Sequence, residues 1–182
     1  MPLDALFLTA LRAELAEKLI GCRVDKVQQP SRDTLLLQLR APGAQGRLLL
    51  SASPNHPRVH LTQAAFENPA QPPMFCMLLR KHLTGGRLLE ITQPPMERLV
   101  QLRFACTGEL GESSEKTLVL ELMGRNSNLI LCGEDGRIID CMRRVDFEMS
   151  EQRQVLPGLF YRLPPAQGKR DAMQTDLDAL RA

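Results

Sequence analysis

Two stretches that pair a carboxylate with a guanidinium carry the chemistry this sequence can offer. Glu97-Arg98 follows a "QPPM" break, and Glu121 precedes Arg125 in "ELMGRNSN". A carboxylate accepts hydrogen bonds from base donors such as those of guanine, while an arginine holds phosphate or stacks on a base. Together they suit reading folded RNA without breaking a bond in it. The plainer alternative is a surface or buried ion pair, which is common and individually weak. Adjacent strand residues also point to opposite faces, so Glu97 and Arg98 need not meet one ligand. Arg98 has the parity of Val100, Leu102 and Phe104, which directs it under the sheet edge towards Asp4. Glu121 has the parity of Val119 and Met123, opposite Leu118, Leu120 and Leu122.

Other cations are candidates for phosphate contacts. Arg80-Lys81-His82 lies in the last turn of an expected helix, where cations suit the helix dipole in any case. Arg143 and Arg144, with Arg137, extend a basic strip or are simply solvated. Backbone N–H groups of the "GRNSN" turn can cradle an anion, since Gly124 and Asn126 tolerate positive φ. Removal of Met1 would leave Pro2 as a secondary amine able to form a Schiff base with a damaged nucleotide, with Asp4 as the first candidate acid. No Walker loop, GxGxxG, GxSxG or HExxH is present, so dedicated nucleotide, dinucleotide and zinc-protease sites have no support.

Composition narrows the class. The chain has 182 residues, 43% hydrophobic and 24% charged, an ordinary globular balance. Its net charge of +2 gives little sequence-independent pull on a nucleic acid. No apolar run reaches the roughly 20 residues of a membrane span, and "MPLDALFLTALRAEL" reads as an amphipathic helix rather than a signal peptide. Five cysteines without a CxxC pair fit a reducing cytosol. The three histidines are too scattered for a metal site, and no cofactor is expected. Without Trp and with one Tyr, broad stacking platforms are not expected.

The elements that must position these residues follow from the hydrophobic period. Asp4 stands at an N-cap, Leu8, Leu11, Leu15 and Leu19 recur at helical spacing, and Gly21 ends the helix. Period two then takes over in "TLLLQLR", "RLLLSA" from Arg47 and "RVHLT" at Arg58 to Thr62. A Pro-rich stretch and Gly85-Gly86 frame a short helix, Met74 to Leu83. Strands resume from Arg87, Glu97, Thr117, Asn128 and Arg137, with "GEDG" as a hairpin turn before the last. Short connections rule out repeated βαβ crossovers, so the expected class is α+β with a mostly antiparallel sheet, which the family resemblance given below makes a sandwich or pseudo-barrel flanked by helices. The Pro-rich end reads as an extended exit from a domain spanning 1–165. Residues 166–182 then open the next, helical domain of a longer protein.

Four strings, "PRVHLT", "ENPAQPPMFCMLLRKHLTGGRL", "LELMGRNSNLIL" and "VLPGLFYRLPPAQGKRD", resemble the NFACT N-terminal domain, a family also labelled fibronectin-binding protein A. The resemblance runs from Asp4 to about Asp171. It implies a fold like the N-terminal domain of formamidopyrimidine-DNA glycosylases. It also implies a cytoplasmic ribosome quality-control factor of the RqcH type, with a helix-hairpin-helix domain, a coiled coil and a second NFACT domain further on. Such a factor binds the large ribosomal subunit obstructed by peptidyl-tRNA. It recruits alanyl-tRNA, and the stalled chain gains a template-free alanine tail. The resemblance makes this domain a non-catalytic tRNA-binding module with no small-molecule substrate. Its contacts map to Asp4, Glu97, Arg98, Glu121 and Arg125. Where the family often has Asp-Arg, this chain has Glu97-Arg98, one methylene longer. The glycosylases follow their terminal proline with Glu, whereas Leu3 stands here, so a shared fold is no argument for shared catalysis. A DNA glycosylase using Pro2 and an extracellular adhesin are the alternatives. The missing signal peptide and unpaired thiols count against the adhesin.

Overall fold

Helix α1, Ala5–Leu19, begins where Asp4 Oδ1 accepts a hydrogen bond from the Phe7 amide at 2.7 Å. This satisfies one of the N–H groups that a helix start leaves open. Leu8, Leu15 and Leu19 are buried, and Leu11 packs at the margin of the same core. The computed structural model describes residues 3–165. Pro2, the expected exit segment 166–182 and its helix lie outside the described residues.

Among the described residues nine strands follow: β1 Arg23–Ser31, β2 Thr34–Ala41, β3 Ala44–Ser51, β4 Arg58–Leu61, β5 Arg87–Thr92, β6 Leu99–Thr107, β7 Ser113–Glu121, β8 Asn128–Gly133 and β9 Ile138–Cys141. Helix α2, Met74–Leu83, lies between β4 and β5. All pairings are antiparallel, in the order β4-β3-β2-β1-β5-β6-β7-β8-β9. The α+β class and the two helices stand as expected. The sandwich becomes one continuous sheet, because β1 and β5 pair at Arg23↔Arg87 and join its two parts. Strand β1 has no expected counterpart. A register shift between Val24 and Lys26 breaks its period, and Pro30 sits within it.

The sheet folds over its leucines. Leu35, Leu37, Leu39, Leu48 and Leu50 from the first part share one buried cluster with Val100, Leu102, Phe104, Leu118 and Leu120 from the second. Both helices pack into that cluster through Leu8, Leu15 and Leu19 of α1 and Cys76, Leu79 and Leu83 of α2. Area removed from water stabilises at roughly 25 cal/mol per Å² of apolar surface, so this shared cluster is the main cohesive term. No described helix is long and apolar enough to cross a membrane.

A smaller cluster covers the other face of the second part. Leu99, Val119, Ile130 and Ile138 are buried there against Val155, with Tyr161 at the margin. The Pro-rich end is thus held on the sheet through the bridges Arg137↔Phe160 and Val145↔Val155 instead of leaving it early. Its anchor is electrostatic. Both Glu121 oxygens accept from Arg153, one of these bonds at 3.1 Å, and the Tyr161 hydroxyl donates to Oε1 at 2.8 Å. Glu121 is 1% exposed and Arg153 13%. Arg153 also donates through Nε to the Arg162 carbonyl at 2.8 Å and lies 5.4 Å from the centre of the Tyr161 ring. Burial and the neighbouring carboxylate push the Tyr161 phenol far above its ordinary value, which keeps it a donor.

All five cysteines are free and buried. Burial first, and nearby carboxylates second, push Cys132 and Cys141 up to about 12. Native thiol labelling at pH 8 should therefore be slow for every cysteine and complete only after unfolding. Rapid native labelling of Cys132 or Cys141 would contradict this burial. Folded-state values above the ordinary 9 also mean that the thiols' contribution to stability is complete below pH 9 and lost as pH rises towards 12. Glu121→Ala leaves Arg153 without its counter-charge, and such losses typically cost about 3–5 kcal/mol. Urea unfolding should report a loss of that order, with early protease cleavage between Val145 and Arg162. A variant as stable and protease-resistant as the parent would remove the anchor's assigned role.

Candidate nucleic-acid interface

The Glu97-Arg98 pair is delivered by a tight turn. The Glu97 amide donates to the Pro94 carbonyl at 3.1 Å, with Pro95 and Met96 between them. Met96 has φ +57°, where a residue with a side chain is strained by about 1–2 kcal/mol. Gln93 holds this turn against α1. Its Nε2 donates to the carbonyls of Ala5 at 3.1 Å and Glu97 at 2.8 Å, and its Oε1 lies 3.0 Å from the Thr9 hydroxyl. The first turn of α1, with exposed Asp4, is thereby pinned beside Glu97. Among the described residues Arg98 makes no ion pair with Asp4, contrary to the direction its parity gave; Asp4 Oδ1 is used by the helix cap instead. Glu97 and Arg98 are both half-buried. Among the described residues neither side chain has a hydrogen-bonding or ionic partner, so both remain available.

From Arg98 the same end of the sheet continues. The Leu122 amide donates to the Arg98 carbonyl at 2.8 Å, which ties the exit of β7 to the entrance of β6. A single 3₁₀ turn, Gly124–Asn126, follows and leaves Arg125 exposed. The Ser127 hydroxyl closes that turn by accepting from the Met123 amide at 2.9 Å. Asn128 then grips Arg143 twice: Nδ2 donates to its carbonyl at 2.7 Å, and Oδ1 accepts from its amide at 2.9 Å. Arg143 in turn donates from Nη1 to the Arg125 carbonyl. Arg144 is exposed and pairs with Asp140 at 3.4 Å.

A cleft of about 510 Å³ opens at this end, where Arg143 and Arg144 face Arg32 of the β1–β2 turn and Pro54 after β3. The curl of the sheet brings those two ends together. The cleft is lined by three arginines, Arg32, Arg143 and Arg144, and by one acid, Asp33, and Arg144 is paired with Asp140, so its cationic excess is local and modest.

The predicted residues therefore separate. Asp4, Glu97, Arg98, Arg125 and Arg143 belong to segments tied to one another by Gln93, by the Leu122–Arg98 bond and by the Arg143–Arg125 bond, with Arg144 next in chain. Glu121 does not join this linked strip. The leucine alternation places it on the opposite face as expected, but segment 145–162 covers that face and Arg153 uses both oxygens. As folded, Glu121 presents no free carboxylate to a ligand. Arg80 and Lys81 lie away from the strip as well. Gly86, three residues past the end of α2, lies against Cys106, near the far end of β6 from Arg98, and Arg80 Nε donates to the Val27 carbonyl at 2.9 Å. Sequence reasoning missed Arg32, Gln93 and Asn128. Nothing in their local context marks them, because Asn128 meets Arg143 15 residues on, Gln93 meets Ala5 88 residues back, and Arg32 shares its cleft with residues still further along the chain.

Known proteins sharpen this picture. A family model described as NFACT N-terminal and middle domains matches residues 4–181. The "Rqc2 homolog RqcH" of Bacillus subtilis is 41% identical over 98% of this chain and 31% of its own length. The mouse "Ribosome quality control complex subunit NEMF" is 30% identical over 75% of the chain and 12% of its own length. This chain thus spans about a third of the length of its bacterial curated relative. The crystal structure of the N-terminal domain of fibronectin-binding protein PavA from Streptococcus pneumoniae matches with a TM-score of 0.90 at 36% identity. That match covers 98% of this chain and 67% of the other. With a family match over nearly its whole length and a relative of this similarity, the chain belongs to the NFACT N-terminal and middle domain family.

Proposed function

We propose that this chain is the tRNA-gripping module of a cytoplasmic ribosome quality-control factor. In that reading the full protein binds large ribosomal subunits obstructed by peptidyl-tRNA. It recruits alanyl-tRNA for template-free alanine tailing of the stalled chain, and this module holds the tRNA without catalysing a step. Residues 1–165 form the module, and 166–182 begin the next domain. The observation that carries the reading is the strip itself: Glu97 and Arg98 unpartnered among the described residues, tied to Arg125 and to the arginine-lined cleft. A guanidinium there bonds phosphate or stacks on an unpaired base, while Glu97 accepts from base N–H groups. Asp4 assists by fixing the helix that Gln93 ties to the turn. The relatives named for ribosome quality control support the quality-control part of this reading.

Charge-assisted hydrogen bonds contribute roughly 1.5–3 kcal/mol each, so Arg98→Ala should weaken tRNA binding about tenfold or more. Glu97→Ala should act similarly on a folded tRNA and less on an unstructured RNA. Because Arg98 is half-buried and Glu97 sits in the turn, both variants should keep the parent's melting temperature within a few degrees. Gel-shift titrations with alanine tRNA, repeated at two salt concentrations, measure this directly. Equal affinity of parent and both variants would remove the site. Retained binding to immobilised fibronectin at high salt, with no tRNA binding, would favour the adhesin reading that the name of the PavA structure invites.

A further inference from the structure

A second set of cations gathers around the Gly85–Gly86 turn, at the far end of β6 from Arg98. Helix α2 delivers Arg80, Lys81 and His82 in its last turn. Strands deliver the others. Arg23 of β1 donates from Nη1 to the Gly85 carbonyl at 2.9 Å, and Arg87 of β5 stands opposite it in register. Lys116 of β7 pairs in register with Phe104 of β6, two residues from the Cys106 that lies against Gly86. Its Nζ donates to the Ser114 hydroxyl at 3.0 Å. Burial first, then the charges of Lys116 and Lys81, hold the His82 imidazole below its ordinary value, so helix and strand cations meet there.

The helix dipole accounts for cations on α2, but not for Arg23, Arg87 and Lys116, which come from three different strands. Local acids do not neutralise the set. Asp25 pairs with Arg40 at 3.3 Å, and Glu90 and Glu115 both pair with Arg103, at 2.8 and 2.7 Å. Glu112 and Glu134, in the turns at this end, accept from the amides of Leu110 and Glu115 at 3.1 and 3.4 Å. Exposed Glu109 stands further out, on the tip of the β6–β7 hairpin. Arg23, Arg80, Lys81 and Arg87 are all exposed. In a chain whose net charge is only +2, like charges assembled from four elements around one turn repel one another and favour a polyanion.

We propose that this turn is a second RNA contact, one that grips the phosphodiester backbone and reads no base. No aromatic ring and no free carboxylate stands among the six side chains, so the contact positions RNA without selecting its sequence. Cations spread around a turn suit a continuous chain of phosphates better than a single anion. Eight residues of extended chain separate Arg98 from Cys106, about 26 Å at roughly 3.3 Å per residue, so the two contacts meet different stretches of RNA. Strand β6 runs between them and fixes their spacing. The choice of RNA as partner rests on the reading above; the place and the mode of contact are additional to it.

The test follows the histidine imidazoles of the full chain by NMR while an RNA duplex of arbitrary sequence, and separately alanine tRNA, is added. A phosphate beside Lys81 and Lys116 offsets their charge, so the His82 titration midpoint should rise on duplex binding, while His56 and His60 near β4 keep theirs. Protonated His82 adds a cation beside Lys81 and Lys116, and the Cys106 thiol, pushed up by burial, stays neutral. Duplex affinity should therefore strengthen as pH falls through the His82 midpoint. Lys81→Ala combined with Arg87→Ala should weaken duplex binding about tenfold or more and lower the slope of log affinity against log salt by about two. Both residues are exposed, so the melting temperature should hold. An unmoved His82, or a double variant with the parent's duplex affinity and salt slope, would overturn the proposal. A His82 shift produced by polyglutamate or by phosphatidylserine vesicles, and not by RNA, would overturn it in favour of an acidic protein or a membrane. Binding of tRNA that depends on Arg98 while His82 stays unmoved would sink this contact alone. A parent chain that binds neither RNA would sink the RNA reading with it.

Discussion

The last four residues of strand β7, Leu118 to Glu121, are buried on both faces, and that constraint organises the second part of the molecule. Its leucines enter the large shared core, while Val119 and Glu121 face the smaller cluster beneath segment 145–162. A strand held from two sides leaves its exit no freedom of direction. The exit at Leu122 is in turn bonded to Arg98, and the turn that follows is closed by Ser127. The exposed arginines of the strip are therefore carried on rigid backbone, although they belong to loops. Rigid presentation matters for binding, because each loose side chain ordered on contact subtracts from affinity.

The buried Glu121–Arg153 pair has a cost that its position explains. Two charges taken from water are rarely a net gain over apolar residues of the same shape. Here they do something that leucines would do less well: they fix one register of an otherwise aperiodic, Pro-rich segment. The Tyr161 hydroxyl and the Arg162 carbonyl complete the set of partners, so neither charge is left wanting. The segment's path across the sheet follows from that single fixed point and two bridges.

Much of this was legible from residues alone, and the exceptions have physical causes. The period-two leucines of β2, β3 and β7 and the capped helix α1 announce themselves, because local pattern and global burial agree there. Strand β1 does not, since a bulge shifts its parity and hides its alternation. The sequence pattern gave Glu121 its correct face but not what covers that face, because Arg153 lies 32 residues away in a stretch without period. Likewise parity alone directs Arg98 to pair with Asp4. It loses to the nearer demand of an uncapped helix amide. The strip's basic residues were visible one by one; their grouping depends on the curl of the sheet, which no local window contains.

The strained methionine in the Pro94–Glu97 turn has a further meaning. A glycine at that position would relieve the backbone, yet it would also let the loop sample many more shapes before any partner arrives. Keeping a side chain there holds the loop in one shape at the expense of some folding free energy. The two residues that follow it are accordingly set out in advance, like type locked in a printer's frame.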